Sequence, residues 1–261
     1  MCTVTYIPNK SGYYLTSNRD EHETRGEALP PTTYVQKKTK LLYPSDPDKK
    51  GTWIAIKENG DLAVLLNGAF VKHERATYYR RSRGLVLLDI LGQESPVLHF
   101  QEMNLNGIEP FTLILVIATN LYECRWDGQG KRCVAINKYM PHIWSSATLY
   151  DASATTTRQN WFQNFLSDET PKTSKAILDF HQTAGGGDSQ NGLIINRNNG
   201  IKTRSITHVR SVPGRTKMTY RNLTSQTEYE KDLAAFDQIK PATTKIGNYS
   251  RFMALSVFGL K

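Results

Sequence analysis

Residues 1–21 of the chain read MCTVTYIPNKSGYYLTSNRDE. Two runs rich in β-branched and aromatic residues, CTVTYI and YYLTS, flank the turn-forming segment Pro8–Gly12. This pattern is typical of a β-hairpin. We expect Ile7 to pair with Tyr13 across the turn.

That pairing decides which side chains meet further along the hairpin. It puts Cys2 opposite Asn18. Side chains alternate between the two faces of a strand, so Cys2 would share one face with Asn18 and Asp20, and Arg19 would point to the other face. A register error of one residue would bring Arg19 to the face of Cys2 instead.

Cys2 is the candidate nucleophile. Once Met1 is removed, the free α-amino group, with a pKa of about 7.7–8.0, can take the proton of the thiol, with a pKa of about 8.5. One residue then supplies both nucleophile and base. Asp20 would orient the ammonium, and Asn18 could reach the backbone or the thiol. A small residue at position 2 is common, so Cys2 alone does not establish catalysis.

The surrounding motifs resemble those of one family. Met1-Cys2 followed by Asn-Arg-Asp-Glu at residues 18–21 resembles the signature of the NRDE family, also called the transport and Golgi organisation 2 (TANGO2-like) family. Further similar segments follow in the family's order at Gly51–Ile56, Gly60–Asn67, Arg83–Val86 and Lys202–Thr207. The resemblance covers residues 1–222.

The resemblance implies an α+β fold, a four-layer αββα sandwich of two mainly antiparallel sheets. This is the architecture of N-terminal-nucleophile (Ntn) hydrolases, similar to penicillin-V acylase and bile-salt hydrolase, in which an N-terminal cysteine attacks a linear amide. We expect one domain over residues 1–261, with the tail 223–261 packing on it.

The resemblance also implies roles for individual residues. Cys2 would be the nucleophile and Asp20 the carboxylate near its amine. Asn67 would donate a hydrogen bond to the oxyanion, and Arg204 would be a charge partner near the thiolate.

Two positions depart from the pattern of the acylases. The acylases carry Arg-Asn-x-Asp on the second strand, whereas residues 17–20 here are Ser-Asn-Arg-Asp. In this resemblance, Ser145-Ser146 matches the second oxyanion asparagine of the acylases. Loss of one such donor costs about 10²–10³ in rate. Asn18, Arg19 and Ser146 are therefore secondary candidates.

Two functions fit these residues. The first is a Cys-dependent hydrolase that acts on a linear amide or thioester through an acyl group on Cys2. The alternative is a non-catalytic carrier that binds a lipid, an acyl-CoA or a haem-like ligand in the same pocket. The expected partner is a small acyl-bearing or hydrophobic molecule, and no cofactor is expected.

The charge of the chain does not indicate a nucleic-acid partner. Lysine and arginine number 33 against 24 acidic residues, for a net charge of +9. Basic clusters such as Arg80–Arg83 are dispersed and lack a recognisable nucleic-acid-binding motif. They are expected to be solvated faces, although a basic rim would also attract an anionic substrate.

Other features exclude several classes. No apolar run reaches the length of a membrane span and no signal peptide is evident, so we expect a cytoplasmic protein without integral membrane association. The six histidines have no metal-ligand spacing, and no metal site is expected. Cys124 and Cys133 flank a short turn, and we expect them to face each other as thiols.

Apolar periodicity predicts the remaining elements. Expected helices are Ser82–Leu91, Glu94–Glu102, Arg158–Leu166, Thr173–Ala184 and Glu228–Ile239. Expected later strands are Thr52–Lys57, Leu62–Asn67, Phe111–Thr119, Leu121–Trp126, Arg132–Asn137, Asn191–Asn196, Thr203–Arg210 and Lys217–Arg221.

Overall fold

The computed structural model describes residues 3–36 and 39–234. Its strands are β1 Thr3–Asn9, β2 Gly12–His22, β3 Leu29–Gln36, β4 Thr39–Ser45, β5 Ile54–Lys57, β6 Leu62–Asn67, β7 Phe111–Ile117, β8 Asn120–Trp126, β9 Lys131–Ile136, β10 His142–Ser145, β11 Ile201–Val212, β12 Arg215–Asn222 and β13 Thr227–Ala234. Its helices are α1 Arg83–Leu91, α2 Pro96–Glu102, α3 Ala152–Ser167 and α4 Ser174–Thr183.

The strands form two antiparallel sheets. The first sheet, sheet A, has the order β10-β1-β2-β11-β12-β13. The second, sheet B, has the order β3-β4-β5-β6-β7-β8-β9. Helices α3 and α4 pack on strands of sheet A, and α1 and α2 pack on strands of sheet B. The predicted αββα sandwich of two antiparallel sheets is confirmed.

Apolar side chains hold these layers together. Val4 and Leu15 of sheet A belong to one buried cluster with Ile54 and Val64 of sheet B. A second cluster joins the helix side of sheet A to α3 and α4, with Ile7 among its members. Burial of a side chain of this size contributes about 1.5–3 kcal/mol, so alternation along β1 and β2 fixes which face meets which layer.

Helix starts follow from local chemistry. Asp151 accepts a hydrogen bond from the backbone N–H of Ala154 at 2.8 Å and begins α3. Thr173, the predicted N-cap of α4, accepts from the N–H of Ala176 at 3.2 Å. A cap of this kind stabilises a helix by about 1 kcal/mol.

The first hairpin has a tighter turn than predicted. Ile7 pairs with Tyr14 rather than Tyr13, and the strands continue to the pair Asn9 and Gly12. The Asn9 side chain accepts a hydrogen bond from the backbone N–H of Ser11 at 2.9 Å. This side chain closes a two-residue turn, so the register differs by one residue from the prediction.

As a consequence, Asn18 lies opposite Thr3, not opposite Cys2 as predicted. Asn18 and Asp20 share a face with Thr3 and Thr5, because directly opposed residues in an antiparallel pair point the same way. Cys2 itself lies outside the described residues.

Three strands lie where no element was predicted: β3, β4 and β10. Pro30 and Pro31 lower the strand signal of β3. Because β3 is at the edge of sheet B, prolines are tolerated there.

Two predicted elements are wrong. Asn191–Asn196 forms turns with one isolated bridge at Asn196, because side chains take the carbonyl groups of Asn191, Gly192 and Leu193. The predicted helix Glu228–Ile239 is strand β13 as far as Ala234, and the rest lies outside the described residues.

A disulfide joins Cys124 and Cys133, which are directly opposed on β8 and β9. The prediction that the two face each other is confirmed.

The close approach of β2 to β11 generates a stability prediction. A Cβ at Gly12 would lie 2.0 Å from the carbonyl oxygen of Ser211. We expect Gly12→Ala to destabilise the fold by about 2–3 kcal/mol, because backbone must shift to relieve the overlap. Urea unfolding measures this difference.

Gly130→Ala is the matched control, since its nearest non-neighbouring atom would be 4.0 Å away. We expect it to change stability by less than about 0.5 kcal/mol. Equal stabilities of the two variants would contradict the observed close approach of Gly12 to β11.

Candidate active site

The site is organised by the alternating side chains of β2. Asn18 and Asp20 point towards the helices α3 and α4, and Arg19 points towards sheet B. All three side chains are buried. Adjacent residues of β2 therefore contact opposite sides of sheet A.

Asp20 is a carboxylate held by two hydroxyl groups. Its Oδ2 accepts a hydrogen bond from the Tyr150 hydroxyl at 2.7 Å. Its Oδ1 accepts from Thr203 Oγ1 at 2.6 Å. Thr203 is its cross-strand partner on β11. These two bonds fix the orientation of the carboxylate, which is 3% exposed.

A buried guanidinium lies behind Tyr150. The Cζ atom of Arg158 is 3.4 Å from the centroid of the Tyr150 ring. Arg158 also donates to the carbonyl oxygens of Asn191 and Gly192 and to Thr3 Oγ1, at 3.0, 2.6 and 2.5 Å. Hydrogen bonds of this kind compensate part of the cost of burying the charge.

Asn18 connects β2 to the helix layer. Its side-chain nitrogen donates to the carbonyl oxygens of His181 and Leu193 at 3.1 and 2.6 Å. Its Oδ1 lies 2.6 Å from His181 Nδ1. The amide is thus used to hold α4 and the following loop against sheet A.

Two buried histidines are uncharged. Burial is the main reason that the pKa of His181 falls to about 3, with smaller electrostatic effects from the neighbouring His208 and Arg158 side chains. Burial also lowers the pKa of His208 to about 3, assisted by Arg221 and Arg210. Thr5 and Thr16 contact the two rings at 2.7 and 2.8 Å.

Arg19 joins the two sheets. Its guanidinium lies 4.7 Å from the centroid of Trp53 and 2.9 Å from Asp46, which follows β4 in sheet B. Glu21 and Arg25 complete a network of alternating charges, with N–O distances from 3.3 to 3.8 Å. Arg19 and Asp46 are the buried members of this network, and removal of either would leave an uncompensated charge and be strongly destabilising.

Asn67 ends β6 beside a connector from sheet A. Its carbonyl oxygen accepts a hydrogen bond from Ser146 Oγ at 2.9 Å. Within residues 3–36 and 39–234, its side-chain amide has no hydrogen-bond partner. The amide therefore remains available to a ligand, whereas the Ser146 hydroxyl proton is used by Asn67.

Arg204 occupies a β-bulge. Thr203 pairs with Asp20 and Ser205 pairs with Arg19, so Arg204 is the extra residue between them. It forms no ion pair with any residue that the structure describes. A bulge of this kind re-aims a side chain, and bulges are common beside active sites.

The structure thus brings several predicted residues together. Asp20 and Arg204 lie on adjacent strands, and Ser146 contacts Asn67. Cys2 is outside the described residues, so its distance to them is not defined. Sequence reasoning missed Tyr150 and Arg158, which stand in a polar connection and a helix without a recognisable motif.

Other features bear on cofactors and membranes. In the described ranges no three histidine, cysteine, aspartate or glutamate side chains are grouped so as to hold a metal ion. None of the helices in the described part of the chain has the length and hydrophobicity needed to cross a bilayer.

Comparison with known proteins identifies similar sequences and folds. The family model described as Transport and Golgi organisation 2 matches residues 1–185. The matched residues include β2 and Ser146, and the match ends before β11. No curated protein matches the sequence.

Several solved structures share the fold. The Caenorhabditis elegans ortholog of N-acylethanolamine-hydrolyzing acid amidase aligns with a TM-score of 0.57 at 15% identity, over 82% of this chain and 93% of that one. Two variants of conjugated bile acid hydrolase from Clostridium perfringens align with TM-scores of 0.50 and 0.51 at 12% identity, over 89% of this chain and 92% of theirs.

The neutral histidines generate a prediction about pH. Their pKa values are about 3 in the folded state against 6.5 for the ordinary group. The unfolded chain therefore binds more protons below pH 6.5, and stability falls with decreasing pH down to about 3. Each histidine contributes up to about 1.4 kcal/mol per pH unit in this window.

We expect His208→Gln to make the decrease in unfolding free energy between pH 6 and pH 4.5 shallower, by about 1.4 kcal/mol per pH unit at most. Urea unfolding at several pH values measures this slope. An unchanged slope would mean that His208 is protonated in the folded protein.

Proposed function

Because the chain belongs to the transport and Golgi organisation 2 family and has the Ntn-hydrolase fold, we propose that it is a hydrolase with Cys2 as its nucleophile. The substrate is a linear amide or a thioester. The observation that carries this proposal is the buried, doubly hydrogen-bonded Asp20 carboxylate, which lies two residues beyond the partner of Thr3.

The proposed reaction begins with a proton transfer. After removal of Met1, the α-amine takes the thiol proton, directly or through water, and Asp20 orients the resulting ammonium. The thiolate attacks the carbonyl carbon of the substrate. The tetrahedral intermediate collapses when the leaving amine or thiol takes the proton, which leaves an acyl thioester on Cys2. Water then hydrolyses this thioester and restores the thiol.

Asn67 is the proposed side-chain donor to the oxyanion. Its amide has no hydrogen-bond partner among the residues described, and its carbonyl is fixed by Ser146. A donor of this kind is worth most in the transition state, where negative charge develops on the oxygen. We assign Ser146 to holding Asn67 in place rather than to direct donation.

Arg204 is the proposed source of positive charge near the reacting groups. It is half-buried on the bulge between the partners of Asp20 and Arg19. A cation in this position favours the thiolate and attracts an anionic substrate.

The substrate class follows from the proposed chemistry. The neighbours of this fold are named for hydrolysis of N-acylethanolamines and of conjugated bile acids. We infer an acyl compound as the substrate of this chain as well, and mass spectrometry can test the amide and thioester classes side by side. The proposed mechanism uses neither a metal nor a cofactor.

A covalent intermediate is the first expected outcome. Purified protein incubated with panels of acyl amides and acyl thioesters should gain the mass of one acyl group on Cys2. Cys2→Ala should lose this adduct, because the thiolate is the attacking group. The same spectra report whether Met1 has been removed.

Two results would contradict the hydrolase. One is the absence of any adduct on a protein whose N-terminal residue is Cys2. The other is tight ligand binding that Cys2→Ala leaves unchanged, which would identify a carrier for a lipid, an acyl-CoA or a haem-like ligand.

Asn67→Ala tests the oxyanion donor. We expect the rate of acylation to fall by about 10²–10³, because one pre-oriented donor is lost. Stopped reactions followed by mass spectrometry measure this rate. Asn120→Ala is the matched control, since Asn120 is exposed on β8, and it should acylate at the original rate. Equal rates for the two variants would remove Asn67 from the mechanism.

A further inference from the structure

We propose that Tyr150 is a positioning residue that couples the Asp20 carboxylate to the oxyanion donor Asn67. The proposal rests on the proposed function of this site. It concerns the segment Ser146–Tyr150, which we name the 146–150 connector and which follows β10 directly.

The connector contacts both sheets at the site. At its first residue, Ser146 Oγ donates to the carbonyl oxygen of Asn67 in sheet B at 2.9 Å. At its last residue, the Tyr150 hydroxyl donates to Asp20 in sheet A at 2.7 Å. The two ends are joined by a hydrogen bond from the Tyr150 backbone N–H to the Ser146 carbonyl at 3.1 Å.

Tight packing keeps the connector against β6. A Cβ at Gly68, the residue after Asn67, would lie 2.9 Å from the Thr148 side chain and 3.2 Å from that of Ala147. Gly68 also has a φ of +78°, a backbone conformation that residues with a side chain rarely adopt. The connector therefore lies directly on the backbone that presents Asn67.

The Tyr150 ring is held by two guanidinium groups. Arg158 lies 3.4 Å and Arg197 lies 5.1 Å from its centroid. Arg197 also donates to the carbonyl oxygen of Leu149 at 3.0 Å. Cation–π contacts of this kind are strongest where the groups are desolvated, and Arg158 is 1% exposed.

These contacts give Tyr150 little freedom to move independently. Its hydroxyl fixes one oxygen of Asp20, and the other end of the connector fixes Asn67. Proper spacing between the group that orients the nucleophile and the group that stabilises the oxyanion is a requirement of acyl transfer. We infer that Tyr150 sets this spacing without contacting the substrate.

The test separates this role from a merely structural one. Tyr150→Phe retains the ring between the guanidinium groups and removes only the hydroxyl. The measurement is the rate at which iodoacetamide labels Cys2 at neutral pH, located by peptide mass spectrometry. This reading needs no substrate and no turnover.

We expect Tyr150→Phe to lower the labelling rate about tenfold, as loss of a hydrogen bond to a charged group predicts. In an Asp20→Asn background the same substitution should change the rate less than twofold, because the two residues act as one unit. Thr203→Val should lower the rate as Tyr150→Phe does, and Thr203→Ser should retain it.

Tyr14→Phe is the control for removal of a hydroxyl from the helix side of sheet A, since Tyr14 is on β2 and stacks on His208. It should leave the labelling rate unchanged. Additive effects of Tyr150→Phe and Asp20→Asn would overturn the proposal, as would an unchanged rate in Tyr150→Phe alone.

The outcome is distinguishable from failure of the hydrolase proposal. Coupling between Tyr150 and Asp20 without any acyl adduct would retain the positioning role and remove the reaction. An acyl adduct without this coupling would retain the reaction and remove the role of Tyr150.

Discussion

A negative charge buried between a sheet and a helix layer is the constraint on which this site depends. Asp20 is almost inaccessible to water, so its carboxylate is stabilised by groups of the protein. Tyr150 and Thr203 supply two hydrogen bonds from two directions. Tyr150 in turn packs on the guanidinium of Arg158, which brings positive charge near the carboxylate without a direct ion pair between them among the described contacts.

Strand β2 explains how the short Asn-Arg-Asp-Glu motif contacts both neighbouring layers. Period-two alternation lets adjacent residues of β2 serve opposite faces of sheet A. Asn18 binds the helix layer, Arg19 binds Asp46 of the other sheet, and Asp20 faces the candidate site. A shift of one residue would exchange these roles, so the motif requires one specific register. The two-residue turn, in which the Asn9 side chain accepts a hydrogen bond from Ser11, selects that register.

Sequence reasoning predicted the layers and many elements, because these follow from periodic burial. It predicted β5 to β9 and all four helices within a few residues, apart from an α3 that begins earlier than expected. It failed where contacts distant in sequence override the local pattern. The Asn191–Asn196 segment looks like a strand, yet Arg158 and Asn18 bind its carbonyl groups.

The other errors have different causes. Glu228, Glu230 and Asp232 alternate with period two and pair with cations on β12, a strand signal that the helical prediction overlooked. The candidate carboxylate could be predicted from its motif, but its partner Tyr150 could not. Tyr150 is distant from Asp20 in sequence, and only the folded connector brings the two together.

The 146–150 connector joins two sheets that have different proposed roles. Sheet A carries Asp20, the carboxylate proposed to orient the amine of the nucleophile. Sheet B carries Asn67, the proposed oxyanion donor. Face-to-face sheets pack about 10 Å apart, whereas catalytic geometry tolerates errors of well under that distance. A short segment that is hydrogen-bonded to both sheets, with a further hydrogen bond from Tyr150 to Ser146, fixes Asp20 and Asn67 relative to each other.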